Sequence, residues 1–233
     1  MIKEIDERRD LAVPGKRPVA LAFCVEHFVH SAKSAIDARG AFHVALSGGS
    51  TPKAIFQILT APPYVKQVDW SKVHLYWGDE RCVGPDDASS NYKTAMDAGF
   101  KSLSIPEEQI HRMEGELDPE TAAANYAKIL PQSMDLVMLG MGEDGHTASL
   151  FPETAALEEK ERFVVANEVP DKGWRLTFTF PYLDKAKACV FYIFGENKKS
   201  MLKKVLKKES PFPAAHVGRK GCKALWICDE SAI

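Results

Sequence analysis

The sequence has little cysteine, and the cysteines it has are not arranged in pairs. Five cysteines among 233 residues are odd in number, scattered and without a C-x-x-C pair, which argues against a disulfide framework and a zinc site. No two histidines have the i, i+4 spacing of a helical zinc site. We therefore expect no bound metal, and a reducing compartment, the cytoplasm, as the location.

An excess of charge and long apolar runs are also missing. A formal charge of -2 creates no global field that would attract nucleic acid or an anionic membrane. No segment approaches the roughly 18 apolar residues of a membrane span, and residues 1–9 are too charged for the apolar part of a signal peptide. We expect no nucleic-acid or membrane partner, so any bound anion must be held locally.

Short apolar runs alternate with longer helical patterns, which predicts a single α/β domain over residues 1–233. The runs typical of strands are Phe42 to Leu46, Val73 to Trp77, Leu136 to Leu139, Phe163 to Ala166, Leu176 to Phe180, Val190 to Phe194 and Ala224 to Cys228. The segments with helical spacing are Val19 to Ala38, Pro52 to Leu59, Asn91 to Ala98, Pro119 to Leu130 and Asn197 to Lys207. The fold class is an open, mostly parallel, doubly wound sheet with helices on both faces.

In such a sheet, ligands bind beyond the carboxyl ends of the strands. The turn after the first predicted strand contains Ser47, Gly48, Gly49, Ser50 and Thr51, followed by a proline at a helix start. Its glycines let backbone N–H groups approach a ligand, and the helix start favours negative charge, so the turn suits an anion. A plain strand-to-helix turn capped by a hydroxyl explains the segment equally well.

Charged side chains follow other strands. Asp79 and Arg81 lie in a short turn after Val73 to Trp77, where a surface turn with exposed ion pairs is the structural alternative. Arg175 opens a later strand and Lys198 follows another, and either of these cations could simply be solvated. Together with Arg81 they could surround one phosphate, because Arg offers paired donors and Lys a point charge.

The turn after Leu136 to Leu139 is the most informative. It matches G-x-G-x-x-G, but Asp144 would place negative charge where a pyrophosphate binds and Pro152 interrupts the helix early, which disfavours a dinucleotide site. The same turn presents Asp144 beside His146, and imidazole is the side chain suited to proton transfer near neutrality. No G-x-S-x-G elbow exposes a serine, so water is the expected nucleophile.

These motifs resemble the 6-phosphogluconolactonases of the glucosamine-6-phosphate isomerase/deaminase-like superfamily over nearly the whole chain. The segments that carry the resemblance are Ser47 to Pro52, Trp77 to Arg81, Ser89 to Tyr92, Gly140 to Pro152, Arg175 to Pro181, Gly195 to Lys198 and Leu225 to Ala232. The resemblance implies a one-domain α/β enzyme of the oxidative pentose phosphate pathway. It hydrolyses a phosphorylated sugar lactone without metal or cofactor, and we expect a monomer that acts on this small molecule.

The resemblance also implies roles for individual residues. His146 is the general base that activates water, and Asp144 holds it. The residues of the phosphate and substrate cradle are Ser47, Gly48, Gly49, Ser50, Thr51, Arg175 and Lys198, while Asp79 and Arg81 occupy positions where the family has active-site charges.

Two alternatives remain open. The sister deaminases of glucosamine 6-phosphate continue the Asp-Gly-His turn with Asn-Glu-Pro, whereas this chain has Phe151 at the position of that carboxylate. A deaminase would therefore lack an expected acid/base group. The second alternative is a sugar-phosphate-binding protein of the same fold without catalysis, because a fold does not fix a function.

Overall fold

The structure is a computed structural model that describes residues 2–233. Within this range the strands are β1 (Ile2–Glu4), β2 (Arg9–Ala12), β3 (Phe42–Leu46), β4 (Val73–Trp77), β5 (Asp79–Arg81), β6 (Leu136–Leu139), β7 (Val164–Val169), β8 (Gly173–Phe178), β9 (Cys189–Ile193) and β10 (Ala224–Cys228). The α-helices are α1 (Arg17–Arg39), α2 (Ser50–Leu59), α3 (Asn91–Asp97), α4 (Pro119–Ile129), α5 (Phe180–Leu183) and α6 (Glu196–Val205). No helix in this range is both long and apolar enough to cross a bilayer.

Seven strands form the main sheet in the order β1-β2-β10-β9-β6-β3-β4. All neighbours are parallel except β1 and β2. After β3 the chain adds β4 on one side and later returns to place β6 on the other side. The strand order therefore reverses between β3 and β6, which is where a doubly wound sheet opens a crevice for a ligand.

Both faces of the sheet are buried, which explains why its strands are continuous apolar runs. Alternate residues of one strand belong to different core clusters: Val44 and Leu46 pack with α1, α2 and α3, and Ala45 packs with α4 and α6 on the opposite face. The predicted α/β class, with a mostly parallel sheet covered on both faces, is confirmed. The extent of the domain, residues 1–233, stays a prediction.

A second sheet corrects part of the sequence analysis. β5, β8 and β7 form a separate antiparallel sheet in the order β5-β8-β7. The segments Phe163 to Ala166 and Leu176 to Phe180 are therefore not strands of the main sheet, and Asp79 to Arg81 is a strand rather than a turn. Phe180 already starts α5, because Pro181 ends the pairing of β8 and suits the first turn of a helix.

Candidate active site

A cavity of about 290 Å³ lies at the carboxyl ends of β3, β4, β6 and β9, where the strand order reverses. Four segments distant in sequence supply its lining. The lining residues are Ser47, Gly48, Gly49, Ser50, Thr51, Pro52, Asp79, Arg81, Asn91, Gly140, Met141, Gly142, His146, Ala148, Tyr192 and Lys198. The fold thus brings together most of the residues that the sequence analysis selected.

The segment Ser47 to Thr51 joins β3 to α2 and forms one wall of the cavity. Gly49 precedes α2 with φ 105°, and no side chain caps the helix. The first N–H groups of α2 therefore have no side-chain acceptor, and the positive end of the helix dipole faces the same region. This wall therefore presents N–H donors and the positive end of a helix dipole, an arrangement that suits an anion.

Gly48 is required because Asn91 lies against it. A Cβ on Gly48 would lie 1.8 Å from Oδ1 of Asn91. The close approach joins the segment Ser47 to Thr51 to the start of α3.

Asp79 is buried and held by donors from two directions. Its Oδ2 accepts a hydrogen bond of 2.7 Å from the Ser149 hydroxyl, and its Oδ1 accepts one of 3.3 Å from Nδ2 of Asn91. The next residue, Glu80, is 2 % exposed and accepts four hydrogen bonds. Burial raises the pKa of Glu80 above its usual value, although those hydrogen bonds act to lower it.

Arg81 and Arg175 face each other across the pairing of β5 and β8. Arg81 lines the cavity and donates to the carbonyl of Ser89, whereas Arg175 is outside the lining and donates to the carbonyl of Trp174. Burial lowers the pKa of Arg175, and the positive charge of Arg81 lowers it further. The two guanidinium groups are therefore close enough to repel, and only that of Arg81 reaches the cavity.

His146 lines the cavity with its imidazole hydrogen-bonded to Asp144. Its Nδ1 lies 2.5 Å from Oδ1 of Asp144, whereas no hydrogen bond within residues 2–233 reaches its Nε2. Partial burial acts to raise the pKa of Asp144, but the charge and hydrogen bonds of His146 outweigh it and hold that pKa below its usual value. The carboxylate is therefore ionised near neutrality and orients the ring.

Gly142 and Phe151 confine the same imidazole. A Cβ on Gly142 would lie 2.1 Å from both Cε1 and Nδ1 of His146, so only glycine fits beside the ring. Phe151 is 7 % exposed and stacks on the His146 ring, with ring centroids 3.9 Å apart. The G-x-G-x-x-G match therefore serves the placement of a histidine rather than the start of a long helix, since a short turn and bridge follow Gly145.

Lys198 reaches the cavity from the first turn of α6. Its ammonium group donates a hydrogen bond of 2.9 Å to the carbonyl of Met141. This contact connects α6 to the loop that carries His146, while the remaining two ammonium protons are available to a ligand.

The sequence analysis did not select Asn91 or Tyr192 as site residues. Asn91 belongs to the segment Ser89 to Tyr92 that carried part of the resemblance, but nothing in the pattern gave it a role. Tyr192 lies inside an apolar strand, where tyrosine is common, so the sequence contained no signal. Within residues 2–233, no cluster of three or more His, Cys, Asp and Glu side chains is placed to hold a metal ion.

Comparison with known proteins adds three findings. Residues 17–226 match the family described as glucosamine-6-phosphate isomerases/6-phosphogluconolactonase. A 6-phosphogluconolactonase of Chlamydia trachomatis is 47% identical over 212 residues, which cover 88% of this chain and 82% of the relative. The crystal structure of a 6-phosphogluconolactonase from Thermotoga maritima superposes with a TM-score of 0.82 and 28% identity over 96% of this chain and 99% of that one.

The fold is also shared beyond the lactonases. A monomeric glucosamine-6-phosphate deaminase has a TM-score of 0.81 at 16% identity, covering 95% of this chain and 98% of the deaminase. At that identity the likeness concerns the fold alone, so the choice between activities depends on the residues of the cavity.

Proposed function

Because the chain belongs to the glucosamine-6-phosphate isomerase/6-phosphogluconolactonase family, we propose that it hydrolyses 6-phospho-D-glucono-1,5-lactone to 6-phosphogluconate. This is the carboxylic ester hydrolysis of the oxidative pentose phosphate pathway. The observation that carries the proposal is the shared cavity: His146, which Asp144 holds from outside the lining, and the wall Ser47 to Thr51 open onto the same space.

In the proposed reaction His146 is the general base. The carboxylate of Asp144 accepts a hydrogen bond from Nδ1 of His146, so the ring proton is on Nδ1. The lone pair of Nε2 is then left for a water molecule. Nε2 removes a proton as the water oxygen attacks the lactone carbonyl. The imidazolium then gives that proton to the ring oxygen as the carbon–oxygen bond breaks, which yields the open-chain acid and restores the neutral base.

The phosphate of the substrate binds on the opposite wall of the cavity. The uncapped start of α2, with Ser47 to Thr51, supplies N–H and hydroxyl donors, and Arg81 and Lys198 supply positive charge. Arg175 adds its charge from the position paired with Arg81 on β8. Binding at a distance from the carbonyl fixes the lactone relative to His146, which is how binding energy assists such a reaction.

Phe151 favours the lactonase over the deaminase. Its ring is buried and stacks on His146, so this position offers an apolar surface where ring opening by a deaminase would use a carboxylate. We expect no ammonia release from glucosamine 6-phosphate. A binding protein without catalysis would have no use for an oriented base beside its anion site.

The test follows acid release from freshly prepared 6-phosphogluconolactone above its spontaneous rate, with ammonia release from glucosamine 6-phosphate measured in parallel. Only the first should occur. His146→Ala should lower kcat by about 10²- to 10⁴-fold and still bind 6-phosphogluconate, because the lost group transfers protons. Substitution of exposed His30 by Ala is the matched control and should leave the rate unchanged.

The two outcomes that contradict the proposal are separable. A wild-type protein that does not accelerate lactone hydrolysis removes the proposed function. Unchanged turnover in His146→Ala removes only the role of His146.

The proposal also includes a cytoplasmic monomer. Support for the compartment comes from the five cysteines, which are all free thiols, and a light-scattering mass of one chain would test the oligomeric state.

A further inference from the structure

Asn91 lies between the anion-binding wall and Asp79, and both protons of its amide nitrogen are engaged. Asn91 is 3% exposed and lines the cavity. Nδ2 donates to the main-chain oxygen of Asp79 at 2.9 Å and to its carboxylate Oδ1 at 3.3 Å. These two bonds fix the amide plane and direct Oδ1 of Asn91 away from Asp79, toward Gly48.

That amide oxygen has no donor of its own. The hydrogen bonds made by Asn91 use Nδ2 and the main-chain N–H, and within residues 2–233 none ends on Oδ1. An amide oxygen can accept two hydrogen bonds, and this one is not sealed inside the protein but open to the cavity. Because Asn91 lines the cavity, a donor on a bound molecule can meet this oxygen.

Glu80 fixes the backbone that carries Asn91. Its carboxylate accepts from the Ser90 hydroxyl at 2.9 Å and from the N–H groups of Asn91 at 2.7 Å and Tyr92 at 2.8 Å. The fourth bond comes from the N–H of Arg81 at 2.8 Å. Three of the four donors therefore belong to residues 90–92, where α3 begins, although Glu80 itself is outside the cavity lining.

The polar groups of the cavity divide into two sets. The helix start, Arg81 and Lys198 are donors suited to phosphate. The side chains of Asp79 and Asn91 provide acceptors, and Ser149 already occupies one carboxylate oxygen of Asp79. A phosphorylated sugar lactone needs both sets, because its ring hydroxyls are donors as well as acceptors.

We propose that Asn91 determines specificity by accepting a hydrogen bond from a ring hydroxyl of the lactone at Oδ1, and that Glu80 is the positioning residue that holds Asn91 there. The assignment rests on the proposed function, which supplies the hydroxylated substrate. An analogue that lacks this hydroxyl displaces water from the acceptor and leaves it unpaired, and a site built to bind a hydroxyl rejects such an analogue.

The test combines protein and substrate changes in one cycle. kcat/KM is measured for wild-type, Asn91→Ala and Asn125→Ala proteins on 6-phosphogluconolactone and on its 2-deoxy, 3-deoxy and 4-deoxy forms. For one of the deoxy lactones, kcat/KM of the wild-type protein should be about 10-fold lower than for the parent lactone, which corresponds to the loss of one good hydrogen bond. The Asn91→Ala protein should show a similar loss of kcat/KM on the parent lactone, through a higher KM. On that deoxy lactone its kcat/KM should be little lower than that of the wild-type protein. The Asn125→Ala protein should behave as wild type, because Asn125 is a half-buried residue of α4 outside the cavity lining.

Glu80→Gln tests the positioning role, because an amide nitrogen cannot accept the bonds that one carboxylate oxygen accepts now. This variant should have a higher KM with little change in kcat. The difference in kcat/KM between the parent lactone and that deoxy lactone should become smaller than in the wild-type protein. A role in stability alone would lower the melting temperature and leave this selectivity unchanged.

The assignment is overturned if, for every deoxy lactone, the kcat/KM factors lost through Asn91→Ala and through removal of the hydroxyl multiply. Multiplied factors mean additive free energies, which is the behaviour of groups that do not contact each other. If Asn91→Ala does not fold, the wild-type series decides: equal kcat/KM on all four lactones excludes a hydroxyl contact at Oδ1. A wild-type protein inactive on the parent lactone contradicts the proposed function instead. In that case the same cycle is measured by calorimetric binding of 6-phosphogluconate and its deoxy forms, and it decides the contact separately.

Discussion

Phe151 stacks on His146 with 3.9 Å between ring centroids and 25° between ring planes. The hydrogen bond from Nδ1 to the carboxylate of Asp144 fixes the rotation of the imidazole, and the stack on Phe151 fixes its plane. Lys172 lies over the Phe151 ring, with its ammonium nitrogen 5.9 Å from the centroid. The imidazole is thus held by an aromatic neighbour, which explains what a phenylalanine contributes at this position.

Phe151→Leu keeps an apolar side chain but removes the stacked ring, so the imidazole can tilt away from its alignment with the substrate. We expect kcat to fall by about 10-fold with little change in KM, because misplacement of a reacting group affects the rate more than binding. Steady-state kinetics on the lactone measures both. Phe163→Leu is the matched control, since Phe163 also packs against an aromatic ring, that of Tyr182, but lies outside the cavity lining. Equal losses in the two variants would contradict a positioning role for Phe151.

Gly142→Ala should lower kcat strongly while the protein remains folded. The added Cβ would lie 2.1 Å from two atoms of the His146 ring and 2.6 Å from the Asp144 carboxylate, so the pair must move. Because His146 lines the cavity and is oriented by Asp144, we expect a rate loss of about 10²-fold or more. Gly84→Ala is the control, as a Cβ there meets nothing within 4 Å. A Gly142→Ala protein with wild-type kcat would show that the His146–Asp144 geometry does not limit the rate.

Much of the main sheet could be predicted from sequence because its strands are buried on both faces. Four predicted strands have the bounds seen in the structure, among them Phe42–Leu46 and Val73–Trp77. The second sheet was not predicted because strand propensity does not specify the partner: Val164–Val169 and Gly173–Phe178 pair with each other and with β5 rather than with the main sheet. β1 and β2 precede any pattern that could be interpreted.

The candidate site was predictable where chemistry is concentrated in one turn. His146 and Asp144 are two residues apart, so their contact needs little tertiary information. Asn91 needed the fold, because its contacts are with Asp79 and Gly48 from other segments. The difference between Arg81 and Arg175 also needed the fold, since which side chain reaches the cavity depends on how β5 pairs with β8.

Arg81 and Arg175 give a prediction about the phosphate. Arg81→Met should raise KM for the lactone more than Arg175→Met does, because only Arg81 lines the cavity. We expect KM to rise about 10-fold or more in Arg81→Met, because a charge-assisted hydrogen bond is lost. The rise should be smaller in Arg175→Met, because Arg175 acts on the phosphate only through its charge. Inhibition by inorganic phosphate should weaken in the same order. The reverse order would place the phosphate beside Arg175 and outside the cavity described above.

A cluster of histidines lies at the amino ends of β3 and β4, opposite the ends that border the cavity. His43 and His74 are paired across β3 and β4 with stacked rings, and Nδ1 of His74 lies 3.3 Å from Nε2 of His111. Tyr76 stacks on His111 with centroids 4.3 Å apart. Burial, with the charges of His74 and His43, lowers the pKa of His111 to about 4. The cluster is therefore neutral at pH 7.

The environment of His43 includes opposing charges. Asp135 would favour its protonated form, whereas Lys187 and Arg39, which form ion pairs with that carboxylate, oppose it. Burial is the largest influence and lowers the pKa of His43, and burial lowers that of His74 as well. All three imidazoles thus resist protonation in the folded protein.

This cluster predicts a loss of stability in mild acid. An unfolded chain binds protons at histidine near pH 6.5, whereas folded His111 does so near pH 4, so the unfolded state holds more protons between these values. The free energy of unfolding should be highest above pH 7 and fall on acidification, by up to about 1.4 kcal/mol per pH unit for each proton that differs. Urea unfolding at pH 7, 6 and 5 measures this slope. His111→Gln should reduce the slope and His30→Gln, at an exposed position, should not. If His111→Gln keeps the full slope between pH 7 and 5, the acid sensitivity does not originate from His111.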